Sequence, residues 1–207
     1  MNERDLKIVD GIFNELHEIE TRGSVVFNSN FTQIAKTNLL LLKGLLDIDG
    51  EKGLFVVLDR PHQYMSYLLH MHDVSQERLW YIDTVTHVSG GEREEEKNVN
   101  FLEDPFHVED LFESFDTHVN AGFQGEFTDI DNIDFILVDN VATMLNYNET
   151  KRVERFIKMF HSFLSDHPHV LGGLTIDPES NPELNEIINN YFDFVIDVES
   201  IKKEALR

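Results

Sequence analysis

The chain of 207 residues contains no cysteine. Structural disulfides, thiolate zinc sites, iron–sulfur clusters and cysteine nucleophiles are therefore excluded, and a reducing compartment such as the cytoplasm is the expected setting. Positive charge is scarce as well. Seventeen Lys and Arg stand against 39 Asp and Glu, a net charge of −22, and such a field repels phosphate backbones and anionic membrane surfaces unless the few cations cluster. Nucleic acid is disfavoured as a partner. Long apolar runs are also missing: the stretch Leu39 to Leu46 is interrupted by Lys43 and Gly44 and falls far short of the ~20 residues of a membrane span. The opening residues Met1 to Lys7 carry mixed charge with no apolar run behind them, so neither a signal peptide nor membrane association is expected.

What is present is a regular alternation of helix and strand patterns. Leu6, Ile8, Val9, Ile12, Phe13 and Leu16 recur at steps that predict an amphipathic N-terminal helix within residues 1–20. Apolar, β-branched runs predict strands at Gly23–Asn28, Leu54–Leu58, Leu79–Asp83, Phe135–Asp139, His169–Ile176 and Phe192–Val198. Between them, helices are expected over Thr37–Leu46, His62–Met71, Pro105–Phe115, Glu149–Leu164 and Pro182–Tyr191. The acidic, glycine-led stretch within residues 88–100 reads as a mobile loop. Parallel neighbours need crossover connections, so the alternation predicts an α/β three-layer sandwich with a mostly parallel sheet. No internal repeat is visible, and a single domain over 1–207 is expected.

The loop after the first strand, Asn30-Phe-Thr-Gln-Ile-Ala-Lys-Thr37, has the length and ending of the phosphate-binding pattern G-x-x-x-x-G-K-[ST], but without its glycines. A working loop of this kind wraps backbone N–H groups around phosphate, and its glycines supply torsional freedom and room. Side chains at Asn30, Gln33 and Ala35 compromise both. About 100 residues later, Phe135-Ile-Leu-Val-Asp139 has the four-apolar-plus-Asp form of a Walker B strand.

These segments, with Gly50-Glu-Lys-Gly-Leu-Phe-Val-Val-Leu-Asp59, Gly172-Gly-Leu-Thr175 and Tyr191-Phe-Asp-Phe-Val-Ile-Asp197, resemble the RecA superfamily, specifically KaiC-like ATPases, over residues 20 to 198. The resemblance implies a RecA-like P-loop NTPase fold. It also implies a nucleotide site around Asn30, Gln33 and Ala35, with Lys36 as the phosphate lysine, Thr37 and Asp139 as magnesium ligands, and Thr175 near the γ-phosphate. Asp59 stands where the family keeps its catalytic glutamate, one methylene shorter. Because the glycines are gone while the apolar strands remain, the resemblance points to a degenerate Walker A, hence a pseudo-ATPase. The expected role is a regulatory or structural subunit acting by protein association, as a homo-oligomer or with a partner that Arg60, Lys151, Arg152 or Arg155 could complement. The expected cofactor is none; the alternative is weak, magnesium-dependent ATP binding or hydrolysis.

Other patterns lead less far. His70-Met-His72 and His167-Pro-His169 raise a metal site, but the first pair is splayed by a helix end and the second flanks a loop. Asp129 to Asp134 lacks the glycine and terminal glutamate of a calcium loop. Phe101, Phe106, Phe112, Phe115, Phe123 and Phe127 form either core or an aromatic interaction surface. No nucleophile-elbow motif is present.

Overall fold

A computed structural model of the chain describes residues 1–19, 23–86, 88–90, 97–102 and 132–205. The expected helix Pro105–Phe115, the aromatic residues from Phe106 to Phe127, and residues 91–96 of the acidic loop lie outside the described residues.

Seven strands form one sheet in the order β4-β3-β2-β5-β6-β1-β7. In chain order they are β1 Ser24–Asn28, β2 Gly53–Val57, β3 Leu79–Asp83, β4 Val99–Phe101, β5 Phe135–Val138, β6 Leu171–Ile176 and β7 Phe194–Asp197. Every pairing is parallel. The central strands read as unbroken apolar runs because both faces are covered: all residues of β2 and β5 are buried. The short β4 begins within the end of the stretch expected to be loop, and pairs with β3 from Tyr81–Val99 to Asp83–Phe101.

One face carries α1 (Glu3–His17), α2 (Ile34–Lys43), α3 (His62–Met71) and α6 (Val198–Glu204); the other carries α4 (Thr150–Asp166) and α5 (Pro182–Asn189). Each face has its own core. Ile8, Ile12, Leu40, Leu41, Phe55 and Phe135 pack on the first, and Val26, Leu54, Ile136, Phe156, Phe160 and Ile188 on the second. At ~1.5–3 kcal/mol for each large apolar side chain removed from water, these two layers dominate the folding free energy. The result is the expected α/β sandwich, with a wholly parallel sheet among the described residues.

Two boundaries differ from the sequence pattern in ways that shape the site. Helix α2 begins at Ile34, three residues before the apolar run suggests, and passes into a π-helical turn over Gly44–Ile48. Phe13 of α1 lies so close to Gly44 that a Cβ there would come within 2.0 Å of its ring, which explains why glycine sits in an otherwise leucine-rich helix. After β7 the chain does not simply end in extended form. Asp197 accepts from the N–H groups of Glu199 and Ser200 and starts α6, which was not anticipated.

Candidate functional site

The carboxyl ends of the strands converge on the loop between β1 and α2, where ligands of open parallel sheets ordinarily bind. This loop closes on itself. Asn30 begins a 3₁₀ turn over Phe31–Gln33, and its side-chain oxygen accepts from Thr32 N at 3.1 Å and Thr32 Oγ1 at 2.8 Å. Gln33 N donates to the Asn30 carbonyl at 2.8 Å, and Ile34 N to that of Phe31. Ser29 N donates to the Ile176 carbonyl at 2.9 Å. The two remaining amides of the turn meet carboxylates: Asn30 N donates to Glu199 Oε1 at 3.2 Å, and Phe31 N to Asp177 Oδ2 at 3.0 Å. From Ser29 to Ile34, each backbone N–H already has an acceptor within the protein.

The two residues that end the pattern point in different directions. Lys36 Nζ reaches Asp5 Oδ1 on α1 at 2.5 Å. Burial alone raises the Asp5 carboxyl, but the Lys36 ammonium and the Asn2 amide outweigh it and hold the group below the usual carboxylate range. Thr37 is fully buried and shares a 2.7 Å hydrogen bond with Ser29 Oγ. Its hydroxyl also accepts from Lys202 Nζ of α6 at 3.1 Å. It is the next residue, Asn38, that faces Asp139: Asn38 Nδ2 donates to Asp139 Oδ1 at 2.5 Å. The early start of α2 turns Asn38, rather than Thr37, toward the end of β5.

Asp139 is deeply buried, and its pKa is pushed up to about 7 by desolvation and by the nearby Asp59 charge, against the stabilising Asn38 amide. Asp59 itself is exposed beyond the end of β2 and pairs with Arg60 Nε at 3.6 Å. Arg60 in turn lies 4.6 Å over the ring of Tyr64 on α3. Thr175 is fully buried in β6, where its Oγ1 accepts from Asn140 N at 2.9 Å and donates to the Val138 carbonyl at 3.4 Å. Its hydroxyl stitches β6 to the residue after β5. Lys151, Arg152 and Arg155 are exposed near the start of α4.

Asp59 and Lys36, with Arg60, Ala35 and Gln33, line a cleft of about 610 Å³ bounded by Phe31, Tyr64, Leu68 and His72. Asp139 lies apart from Lys36, in a much smaller recess of about 10 Å³ with Asp59 and Ala35. Thus the structure gathers Gln33, Ala35, Lys36 and Asp59 around one opening and turns Thr37 and Thr175 inward. The sequence reading missed Asp5, Asn38, Asp177, Glu199 and Lys202. Two signals were available: the polar Asn38 immediately before the leucine run of α2, and the helix-start pattern of Asp197 with Glu199 in the first turn and lysines in the last.

The histidine pairs also have definite places. His70 and His72 lie at the end of α3, and His167 donates through Nδ1 to the Phe163 carbonyl at 2.8 Å. Among the described residues, no group of three or more His, Cys, Asp or Glu is placed to hold a metal ion. No helix among them is long and apolar enough to cross a membrane.

No protein-family model matches the chain. No curated protein matches it in sequence. Its fold, however, is similar to solved structures. One is a KaiC-like protein from the hyperthermophilic archaeon Pyrococcus horikoshii OT3, with a TM-score of 0.55 and 15% identity, covering 86% of this chain and 72% of that one. Another is an uncharacterized protein from Pyrococcus horikoshii in complex with an unknown peptide, with a TM-score of 0.58 and 12% identity, covering 91% and 82%. The chain therefore has a KaiC-like, RecA-type α/β fold; at these identities the likeness establishes the fold alone.

Proposed function

We propose that this chain is a non-hydrolysing domain of the RecA/KaiC-like fold with a degenerate phosphate loop, acting as a regulatory or structural subunit through association with another protein. The observation that carries this reading is the self-contained hydrogen bonding of the loop. A nucleotide phosphate needs free backbone donors and a free lysine. Here the amides from Ser29 to Ile34 are engaged, two of them by carboxylates, and Lys36 is bound to Asp5. An incoming triphosphate would have to displace both acids and meet a chain whose net charge is −22.

Association has a surface to use. Phe31 on the loop and Tyr64 on α3 are large, exposed and line the cleft, and α3 also exposes Tyr67 and Met71. The Pyrococcus protein of similar fold that was solved in complex with an unknown peptide supports this reading.

A second reading, weak magnesium-dependent ATP binding, is favoured by one feature: Lys36, Asp59 and Arg60 line a cleft of about 610 Å³, within the size of ordinary small-molecule sites. Thermal unfolding of wild type and Lys36→Ala, with and without millimolar ATP and Mg²⁺, separates the two. No ATP-dependent shift in either protein is expected. A rise in wild type that vanishes in Lys36→Ala overturns the closed loop in favour of ATP binding, and ATP turnover by wild type and Asp59→Asn then decides hydrolysis. The association half of the proposal is tested by adding the protein to a cognate RecA-like ATPase, whose turnover is expected to change.

A further inference from the structure

The last helix places two opposite charges against the phosphate loop. Glu199 and Lys202 lie one turn apart on α6, with Nζ and Oε1 separated by 2.7 Å. The carboxylate accepts from Asn30 N and from Ser29 Oγ, each at 3.2 Å. The ammonium donates to Thr37 Oγ1 at 3.1 Å and to Ser29 Oγ at 3.4 Å. Lys202 is itself buried. Burying a lysine is costly unless it is paired and hydrogen-bonded, so Glu199 and the two hydroxyls are what make this position tolerable. Burial pushes the Glu199 carboxyl up, but Lys202, the Asn30 amide and Ser29 more than reverse this and keep it charged.

The pairing supplies, from within the chain, what a phosphate with its cation would bring to such a loop: an anion on a backbone amide and a cation on the adjoining hydroxyls. The helix that supplies it is anchored independently of the loop. Asp197 caps its start, while Val198 and Ile201 are buried on its inner side. Ile201 fits over Gly11 of α1 so closely that a Cβ at Gly11 would come within 2.6 Å of it.

We infer that α6 is an autoinhibitory strap, whose Glu199–Lys202 pair occupies the Asn30 amide and the Ser29 and Thr37 hydroxyls and so keeps the loop closed to phosphate. The inference rests on the proposed reading of a self-occupied loop and assigns the closure to particular residues. It makes Glu199 the key: withdrawing its charge leaves Lys202 as a buried, unneutralised ammonium beside an amide held only by a weaker, neutral acceptor, an arrangement that attracts an anion.

The test uses the full chain, inorganic triphosphate as probe, and two readouts: hydrogen exchange of the Asn30 amide, and titration of the Asn30 and Phe31 amide resonances. In wild type the Asn30 amide is expected to be protected and unresponsive to millimolar triphosphate. Glu199→Gln is expected to speed Asn30 exchange about tenfold or more and to bind triphosphate, and Glu199→Gln/Lys202→Met to lose that binding while keeping the fast exchange. The milder Glu199→Asp, which retains the charge on a shorter arm, is expected to speed exchange with little gain in binding, and it serves alongside the first variant should that one not fold. Unchanged Asn30 protection in Glu199→Gln or Glu199→Asp overturns the strap. So does faster exchange in Glu199→Gln with no response to triphosphate, or a gain in binding that survives loss of Lys202. Each of these leaves the proposed function standing, because a loop closed to nucleotide fails on ATP binding by the wild type and the non-hydrolysing role on ATP turnover.

Discussion

Asn38 and Asp139, 101 residues apart, meet through a 2.5 Å hydrogen bond from Asn38 Nδ2 to Asp139 Oδ1, in the place where the motif resemblance puts Thr37. The bond joins the first turns of α2 to the end of β5. The carboxyl is buried and its pKa is raised to about 7, first by desolvation and then by Asp59. A raised folded-state pKa means that the group's contribution is fully present below the unfolded value of 3.8 and is lost as pH rises through about 7. Asp139→Asn keeps an acceptor for Asn38 and removes the charge. The variant is expected to match wild type near pH 4 and to exceed it in stability near pH 8, measured by denaturant unfolding at both values. Lower stability than wild type at pH 8 would refute it.

Lys36 is expected to behave as a structural partner of Asp5. Its side chain is well exposed while that of Asp5 is not, so solvent screening limits the pair to about 1 kcal/mol. A double-mutant cycle with Lys36→Met and Asp5→Asn should recover a coupling of about that size. A coupling of zero would release Lys36 for another role.

Asp83 and His62 form a buried pair, Nδ1 to Oδ2 at 2.7 Å, where the end of β3 meets the start of α3. The same carboxylate also accepts from His62 N, Val85 N, Thr86 N and Thr86 Oγ1, each at 2.8 Å. Burial opposes its charge, but His62 and these amides lower the pKa to about 2. The depressed value gives stability that is present above the unfolded pKa of 3.8 and is lost as pH falls toward 2, about 2 kcal/mol in all. Asp83→Ala, which strands five donors, should cost ~3–5 kcal/mol at pH 7 and flatten the acid limb of the stability curve.

Thr175→Val is a shape-conserving change that removes the acceptor of Asn140 N, a residue held at φ 31°. A cost of ~1–3 kcal/mol is expected from the stranded amide, read by urea unfolding. A stable variant with altered nucleotide response would instead make Thr175 a phosphate sensor.

Much of the fold was legible because both faces of the sheet are covered. Strands β2 and β5 bury every side chain, so Leu54-Phe-Val-Val57 and Phe135-Ile-Leu-Val138 announce themselves as unbroken apolar runs. Helix α3 was legible over its full length, and α1 and α4 to within two residues at either end. The short β4 was not. Its three residues gain their strand form from the pairing with β3, a contact with no local period to reveal it. Helix α6 has seven residues, of which only a few are apolar, too short for a helical period to stand out against the preceding strand.

By itself the sequence determined the layered α/β architecture, because binary patterning writes burial directly into residue order. It also showed that the loop after the first strand lacks the glycines of the phosphate-binding pattern. Only the tertiary structure decided where the surviving polar groups point. Lys36 turns to Asp5, Asn38 to Asp139, and Thr37 to Lys202, in partnerships spanning 31, 101 and 165 positions of chain. A short polar side chain has no periodic signature, and its partner is chosen by which strand ends and helix faces the sheet order brings together.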